Sequence, residues 1–295
     1  MFKKVTTKDI ELIKKYLKIA NYKSSNYNIV SMFLWLDDYP LYYIEKDNAL
    51  FLFVIKNEIF YSYAPLTSED NFIKSIKNLK EIFASQQKEF MVCYLPKNEK
   101  EKLEEEFKDF FVFETTRDQS DYIYDAEKLM NYSGRKMQKK RNNYNYFLKN
   151  YVGRYEFREL NGNHCHECNE LIKKWIATKE NNPSLASEHQ GIIRMLNYYD
   201  ILDMKIGGVF IDGILEGFSI STMLNKDCVQ TNVEKANGEI RGLYQYLVSM
   251  MLKTFYPTAK IVNREDDVGI EMLRKSKESY YPEEYWIVYS CKEMR

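Results

Sequence analysis

The sequence predicts an α/β protein with mixed (α+β) sheets, arranged as two tandem domains that pack together. Its 295 residues are enough for two domains of ordinary size. Apolar residues make up 45% of the chain, which is enough for two hydrophobic cores. One order of hydrophobic patterns also occurs twice: a pair of helices, a meander of three strands, and then helix, strand, helix and strand.

In the first half, Thr7 is a suitable N-cap for apolar residues at helical spacing. The hydrophobic period then changes to that of β-strands in three short segments joined by turns, which predicts an antiparallel meander of three strands. A helix with one apolar face and a buried strand that ends at Pro96 follow. The further helices are predicted at 31–36, 69–84 and 98–107, and the strands at 41–44, 50–55, 58–63, 90–95, 110–113 and 121–124.

The second half begins with Ser133, which is placed to cap a helix over 135–151. We therefore set the domain boundary between residues 130 and 131, so that the predicted domains are 1–130 and 131–295. The remaining helices are predicted at 165–179, 188–199, 242–255 and 268–276, and the strands at 155–160, 204–211, 214–223, 228–233, 259–262 and 284–290.

This order of elements resembles the GNAT fold of acyl-CoA N-acyltransferases, a mixed sheet that splays after its fourth strand. The resemblance implies two GNAT-like domains, each with a place for an acyl donor in the splay. No matching residues connect the two halves, so the repeat is one of pattern only.

Composition limits the classes of function. The chain carries 43 basic and 43 acidic residues, so any nucleic-acid surface must be a local patch. No apolar run approaches the roughly 20 residues of a membrane span, and the N-terminus lacks the apolar segment of a signal peptide. Five cysteines without a secretion signal predict reduced thiols. We therefore expect a cytoplasmic protein, with peripheral attachment to a membrane as the alternative.

The most informative segment lies near the C-terminus, where a short apolar strand runs into polar residues and then a helix. Such junctions lie at the rim of a sheet, where α/β proteins hold their ligands. The alternative is that these polar residues are solvated caps of an ordinary helix. The candidate catalytic residues at this rim are Asn263, Arg264, Glu265 and Asp267.

Two features favour the second half as the catalytic half. In the second half, the loop between the three-strand meander and the helix at 242–255 contains Arg241 and Gly242. These residues suit a loop that holds an anion with its backbone N–H groups. The corresponding loop of the first half contains Pro65, which has no N–H. Glu234 ends the preceding strand, where a general base for an amine or hydroxyl nucleophile would lie. The alternatives are an ordinary turn and an ion pair of Glu234 with Lys235 or Arg241.

The segment from residue 135 to 149 is strongly basic and contains no acidic residue. Aromatic residues are interleaved with the cations, a combination that suits a phosphate backbone and unstacked bases. The alternative is an apolar helix face beside a solvated one. The candidate RNA contacts are Arg135, Lys136, Lys139, Lys140 and Arg141.

The run from His164 to Cys168 has the C-x-x-C spacing of zinc ligands. It lacks a second pair at zinc-finger spacing, and His189 alone is a poor completion, so we predict no metal site. No nucleophile elbow, Walker loop or dinucleotide fingerprint is present.

Several motifs together resemble the phosphatidylglycerol lysyltransferase C-terminal-like family, over nearly the whole chain. They are Tyr132-Ser133-Gly134-Arg135-Lys136, Lys139-Lys140-Arg141-Asn142, Glu234-Lys235-Ala236-Asn237, Gly242-Leu243-Tyr244-Gln245 and Asn263-Arg264-Glu265-Asp266-Asp267-Val268-Gly269, followed by Leu273-Arg274-Lys275, Lys277, Ser279-Tyr280 and Pro282. Members resemble tandem GNAT domains that move an amino acid from aminoacyl-tRNA to a membrane lipid, and relatives of the same fold modify peptidoglycan precursors.

The resemblance implies that aminoacyl-tRNA is the donor and that no cofactor or metal is required, because the ester is already activated. It implies phosphate contacts for Arg264 and Lys277, amino-group contacts for Glu265 and Asp267, and orientation of the acceptor by Glu234. The substrate-binding residues it implies are Asn237, Arg241, Gly242, Tyr244, Lys277 and Tyr280.

Lipid lysyltransferases carry a long membrane segment before this domain, and no such segment occurs here, so the lipid acceptor is an open question. A peptidoglycan precursor or a small molecule are the other acceptors. The alternative functions are an acyl-CoA-dependent N-acyltransferase, disfavoured by the absence of the compact glycine-rich donor loop, and an inactive tandem-GNAT binding module, disfavoured by the cluster at residues 263–267.

Overall fold

The computed structural model describes residues 1–179 and 183–294, which form two compact units. One unit is Met1–Ser120 with the segment that begins at Trp286, and the other is Asp121–Tyr285. No helix within these described residues is both long and apolar enough to cross a membrane.

The helices and strands follow the predicted order. Up to residue 120 they are β1 (Lys3–Lys4), α1 (Ile10–Ala20), α2 (Ile29–Leu34), β2 (Leu41–Lys46), β3 (Ala49–Lys56), β4 (Ile59–Tyr63), α3 (Phe72–Ser85), β5 (Met91–Pro96), α4 (Lys97–Phe107) and β6 (Phe111–Glu114). They continue with β7 (Asp121–Asp125), α5 (Ala126–Asn131), α6 (Gln138–Asn150), β8 (Tyr155–Leu160), α7 (Cys165–Ala177), α8 (Pro183–Asn197), β9 (Lys205–Ile211), β10 (Ile214–Asn225), β11 (Cys228–Ala236), α9 (Leu243–Phe255), β12 (Ile261–Asn263), α10 (Glu271–Glu278), β13 (Glu284–Trp286) and β14 (Val288–Glu293).

Each unit contains one mixed sheet, and the two sheets have the same plan. The first has the order β1-β2-β3-β4-β5-β14-β6 and the second β13-β7-β12-β11-β10-β9-β8. The pairs β4–β5 and β11–β12 are parallel, and each follows an antiparallel meander. This is the mixed-sheet arrangement that the sequence predicts.

The division of the chain differs from the predicted boundary between residues 130 and 131. Strand β7 pairs with β12, where Asp125 lies opposite Ile261, so it belongs to the second unit. The final strand β14 lies between β5 and β6 in the first. Each sheet therefore contains a strand that the predicted boundary assigned to the other domain. Local periodicity identifies a strand but not its distant partner, which explains the difference.

Two helix boundaries also differ from prediction. Ser133 does not cap a helix, because α6 begins only at Gln138 and Met137 is its N-cap. The residues before it form α5, which the alternating pattern concealed and which ends at Tyr132 in the left-handed conformation (φ +50°). The predicted strand 284–290 is divided into β13 and β14.

Helix α9 organises the core of the second unit. Val248 and Leu252 pack in one cluster with Tyr122 and Val262, while Leu247 packs in another with the aromatic face of α6. A helix that is apolar on most of its surface must be covered on both sides. Helix α9 therefore lies in contact with both clusters, and its N-terminus faces the point where β11 continues beyond β12.

Candidate active site

A buried ion pair lies where the two parallel strands of the second unit separate. The last register pair between them is Gln230 with Asn263. Strand β12 ends there, whereas β11 continues through Glu234 to Ala236. The Arg264 Nη2 atom donates to Glu234 Oε2 at 2.5 Å, and the two side chains are 13% and 11% exposed. The end of β11 and the segment after β12 are therefore neighbours, and Glu234 pairs with Arg264, where Lys235 or Arg241 was the alternative partner expected from the sequence.

The ion pair uses only half of its hydrogen-bonding capacity. Arg264 Nη1 and Glu234 Oε1 are both buried, and neither has a partner in the part of the chain that the structure describes. Burial lowers the pKa of Arg264, but the Glu234 carboxylate, together with Tyr280 and Tyr124, raises that pKa above its ordinary value. An unsatisfied buried polar group costs about 1–3 kcal/mol, so this pair is suited to a ligand that offers both an acceptor and a donor. Glu234 also lines a small cavity with Ser219, Ser221 and Thr231.

Tyr280 forms a platform for two cations. The Arg264 guanidinium carbon lies 4.7 Å from the centre of the Tyr280 ring, and Lys140 Nζ lies 3.6 Å from it. Gln245 Nε2 donates to the Tyr280 hydroxyl at 2.7 Å, which fixes the ring. Lys140 therefore belongs to the candidate site, which brings together side chains from α6, β11 and the segments after β12 and α10.

Asn263 supports the loop after β12 from within. It is 0% exposed, its Nδ2 donates to Asp121 Oδ2 at 2.8 Å, and its Oδ1 accepts from Glu265 N at 2.7 Å. Both ends of the amide are therefore used by the protein. Asn263 fixes the position of Arg264 without being exposed to a ligand.

Asp267 is likewise 0% exposed and is bound by protein donors. Arg274 donates to both carboxylate oxygens, at 2.8 Å each, the Tyr122 hydroxyl donates at 2.5 Å and Gly269 N at 2.9 Å. The hydrogen bonds from Arg274, together with those from Tyr122 and Gly269, hold the pKa of Asp267 well below its usual range. Such a saturated carboxylate is suited to holding the loop, and less to binding an amino group.

Lys277 is buried beneath the same loop. Its ammonium donates to the backbone oxygens of Arg264, at 2.5 Å, and of Asp266. Burial lowers its pKa, which the neighbouring carboxylates partly offset. The structure thus places Lys277 as a support for the backbone at Arg264, where phosphate contact was predicted.

Glu265 and Asp266 complete the acidic run. Gln230 Nε2 donates to Glu265 Oε1 at 2.7 Å, and Glu265 remains half-buried. Burial and the nearby Asp121 carboxylate raise the pKa of Asp266 to about 7. Sequence reasoning did not select Asp266. In a run of consecutive acidic residues, spacing gives no sign of which carboxylate turns inward.

The loop before α9 packs against α6. Gly242 has φ +88°, and a Cβ atom there would lie 2.0 Å from the backbone oxygen of Asn143. Arg241 Nε donates to the Asn143 side chain at 3.0 Å. Asn237 holds its own turn, because it donates to Glu216 at 3.0 Å and accepts from Glu239 N. The loop that was predicted to bind an anion therefore packs against α6.

Tyr244 lies behind the ion pair. Its hydroxyl accepts hydrogen bonds from Trp175 Nε1 at 3.1 Å and from Ala236 N at 3.3 Å. Burial raises its pKa, and the donated hydrogen bonds partly oppose that rise. Tyr244 thus ties the end of β11 to α7 and α9.

The corresponding separation in the first unit is closed by a tyrosine. Ala64 N donates to the Tyr27 hydroxyl at 3.2 Å, and that hydroxyl donates to Tyr94 O at 2.8 Å. A single side chain therefore joins the end of β4 to β5. This closure supports the interpretation of the first half as a scaffold.

The predicted RNA contacts fall into two groups. Arg135, Lys136 and Lys139 are exposed. Arg141 instead donates to the backbone oxygens of Tyr132 at 2.5 Å and Gly134 at 3.1 Å, so it secures the turn before α6, and Lys140 lies over Tyr280. The structure leaves three of the five cations on the surface for a phosphate backbone.

The histidine and cysteine run is part of a helix start. His164 accepts from Asn161 N at 3.2 Å in a capping box, and Cys168 is 0% exposed. Among residues 1–179 and 183–294, no three His, Cys, Asp or Glu residues are grouped to hold a metal ion.

Known proteins resemble this chain in sequence and in fold. Residues 18–292 match the family described as phosphatidylglycerol lysyltransferase, C-terminal. An uncharacterized protein of Mycoplasmoides gallisepticum is 31% identical over 169 residues, 56% of this chain and 53% of that protein. The chain thus spans about half the length of this curated relative.

Two solved structures cover almost the whole chain. A conserved protein of unknown function from Bacteroides thetaiotaomicron superposes with a TM-score of 0.92 at 24% identity, over 99% of each chain. L-PGS from Bacillus licheniformis superposes with a TM-score of 0.66 at 14% identity, over 96% of this chain and 91% of that one. At these identities the likeness concerns the fold, and the predicted tandem GNAT-like architecture is confirmed.

The family match covers both units and includes every residue of the candidate site. The motifs that carry the resemblance in the sequence also carry the buried pair and the loop that supports it. The chain belongs to the phosphatidylglycerol lysyltransferase C-terminal family.

Proposed function

We propose that the second unit transfers an aminoacyl group from aminoacyl-tRNA to an amine or hydroxyl acceptor, in the cytoplasm or at its membrane surface. The observation that carries this proposal is the buried Arg264–Glu234 pair, which keeps one donor and one acceptor open at the strand separation. The acceptor would be a lipid headgroup, a peptidoglycan precursor or a small molecule.

The open atoms suit the two partners of such a reaction. Arg264 Nη1 would donate to an oxygen that gains charge, either the ester carbonyl oxygen of the donor or a phosphate of the acceptor. Glu234 Oε1 would accept a hydrogen bond from the attacking amine or hydroxyl and orient it. Since the aminoacyl ester is already activated, positioning and charge stabilisation supply most of the rate, and no cofactor is needed.

The exposed cations of α6 support an RNA donor. Arg135, Lys136 and Lys139 lie on the helix that also brings Lys140 to the site. A tRNA bound along this surface would place its acceptor end near Tyr280. The first unit would act as a scaffold, since Tyr27 closes its strand separation.

We expect the purified chain to bind aminoacylated tRNA with an affinity that falls steeply as salt rises. Replacing Arg135, Lys136 and Lys139 together by Ala should reduce the slope of log K against log salt by about 2, because three phosphate contacts are lost. Binding isotherms across a salt series measure this slope. The control replaces Lys74, Lys88 and Lys108, exposed cations of the first unit, and should leave the slope unchanged. Binding of acetyl-CoA but not of tRNA would instead support an acyl-CoA-dependent enzyme.

A second expectation concerns the ion pair. Glu234→Gln keeps the shape of the side chain but removes the charge that holds Arg264, so aminoacyl transfer should fall about ten- to a hundredfold while tRNA still binds. Transfer from labelled aminoacyl-tRNA to a lipid extract and to cell-wall precursors measures the rate. Glu239→Gln, on the exposed turn before α9, is the matched control. Equal rates for both variants would remove Glu234 from the reaction, and binding without any transfer would favour an inactive binding module.

A further inference from the structure

We propose that Lys140 is a catalytic residue that takes the proton from the attacking amine or hydroxyl and returns it to the leaving oxygen of the tRNA ribose. This inference rests on the proposed aminoacyl transfer and adds a role that the ion pair does not fill. Its basis is the position of the Lys140 amine, on the Tyr280 ring that Arg264 also contacts.

The first argument is that Lys140 is not placed as a surface cation. The side chain is half-buried, Nζ lies 3.6 Å from the centre of the Tyr280 ring, and it donates to Ser279 Oγ at 2.7 Å. A phosphate contact on a basic helix would instead extend into solvent, as the exposed Lys139 side chain does. The amine therefore points into the candidate site.

The second argument is the absence of a paired carboxylate. Within residues 1–179 and 183–294, Lys140 forms no ion pair, although buried ammonium groups are normally paired. Glu234, the acid near it, is bound to Arg264. An ammonium that is partly desolvated and unpaired releases its proton more readily than an ordinary lysine.

The two cations that face Lys140 lower its pKa, as burial does. Burial first, then Arg264 and its neighbour Lys139, lower the pKa of Lys140 to about 8, against a smaller opposing effect from Glu234. Arg264 comes from the segment after β12, Glu234 from β11, and Lys139 from the same helix. The Tyr280 ring beneath the amine is held by Gln245. The neutral form of the amine, although still the minor form near pH 7, is thus more accessible than it is for an ordinary lysine.

The proton and bond changes balance without another reactant. The neutral Lys140 amine takes a proton as the acceptor nitrogen or oxygen bonds to the ester carbonyl carbon. The tetrahedral intermediate then expels the ribose oxygen as the ester C–O bond breaks, and the Lys140 ammonium gives its proton to that oxygen. Arg264 Nη1 would stabilise the oxyanion of the intermediate throughout.

Lys140→Arg is the decisive variant because arginine serves as well as lysine for a phosphate contact but stays protonated. We expect kcat for aminoacyl transfer to fall about a hundredfold, with KM for aminoacyl-tRNA within about twofold, since RNA binding does not depend on the proton. In the unaltered chain kcat should rise as the pH increases through about 8, and this rise should disappear in the variant. Lys74→Arg, at an exposed lysine of the first unit, should keep both the rate and the pH dependence.

A second measurement does not depend on the substrate. Trace acetylation of the full chain with acetic anhydride across pH 6 to 10, followed by peptide mass spectrometry, should show Lys140 reacting at lower pH than typical surface lysines. A Lys140→Arg variant with full kcat and an unchanged pH profile would overturn the proposal and make Lys140 a phosphate contact. Lack of transfer and of tRNA binding in the unaltered chain would overturn the proposed function itself, and the role of Lys140 with it.

Discussion

Asp267→Ala should destabilise the second unit by about 3 kcal/mol or more, because it removes the centre of a saturated buried network. The change removes the carboxylate to which Arg274 donates and the oxygen to which the buried Tyr122 hydroxyl donates at 2.5 Å. Removing one partner of a buried charge pair costs far more than the pair contributes to stability, since the remaining group keeps its desolvation penalty. The sequence placed Asp267 among the candidate catalytic residues, whereas these contacts make it a support of the loop.

Urea unfolding read by hydrogen exchange of α9 amides assigns the loss to the second unit. Glu271→Ala is the matched control, because that carboxylate pairs with Lys275 at the surface, and its loss should change stability by less than about 1 kcal/mol. A normal unfolding midpoint together with lost transfer would show that Asp267 contacts substrate.

The effect of Asp267 should also depend on pH. Its folded-state pKa lies below the unfolded value of about 4. The stabilisation is therefore fully present above about pH 4 and is lost as the pH falls toward the folded-state pKa. The difference in unfolding free energy between the unaltered chain and Asp267→Ala should accordingly shrink in acid.

The sequence placed the candidate residues at a strand end but did not sort them by burial. Asn263 to Asp267 were correctly placed at a strand end, because an apolar run followed by polar residues is visible locally. Which of them turn inward depends on partners far away in the chain, such as Asp121 for Asn263 and Tyr122 for Asp267. The same limit applies to β7, whose place in the second sheet depends on pairing with β12.

Lys140 is a residue for which the sequence did carry a signal. Met137, Tyr144 and Phe147 form the buried stripe of α6, and Lys140 lies between them at helical spacing. Lys140 was grouped with the exposed cations because the whole segment is basic, without regard to the helix face on which it lies. A cation on an apolar stripe must either extend to solvent or find a partner inside, and Tyr280 is that partner.

Gly242→Ala should destabilise the second unit by about 2 to 5 kcal/mol. The added methyl group meets two obstacles, since φ is +88° and the Cβ would lie 2.0 Å from the backbone oxygen of Asn143. A left-handed conformation costs a non-glycine residue about 1–2 kcal/mol, and forcing apart packed backbone adds about 1–3. Thermal unfolding measures the loss. Gly238→Ala is the control, because nothing lies within 4 Å of a Cβ at that position.

The comparison of these two glycines decides between two roles for the loop before α9. If the loop holds an anion through its backbone N–H groups, both substitutions should weaken donor binding, even in the fraction of each variant that is folded. If position 242 requires glycine because α6 packs closely against it, Gly242→Ala should lower the stability of the second unit and displace α6. Since Lys140 and the exposed cations lie on that helix, a displaced α6 would lower RNA binding and transfer together, whereas Gly238→Ala would leave both intact. Loss of donor binding in a stably folded Gly238→Ala variant would restore the anion-binding role.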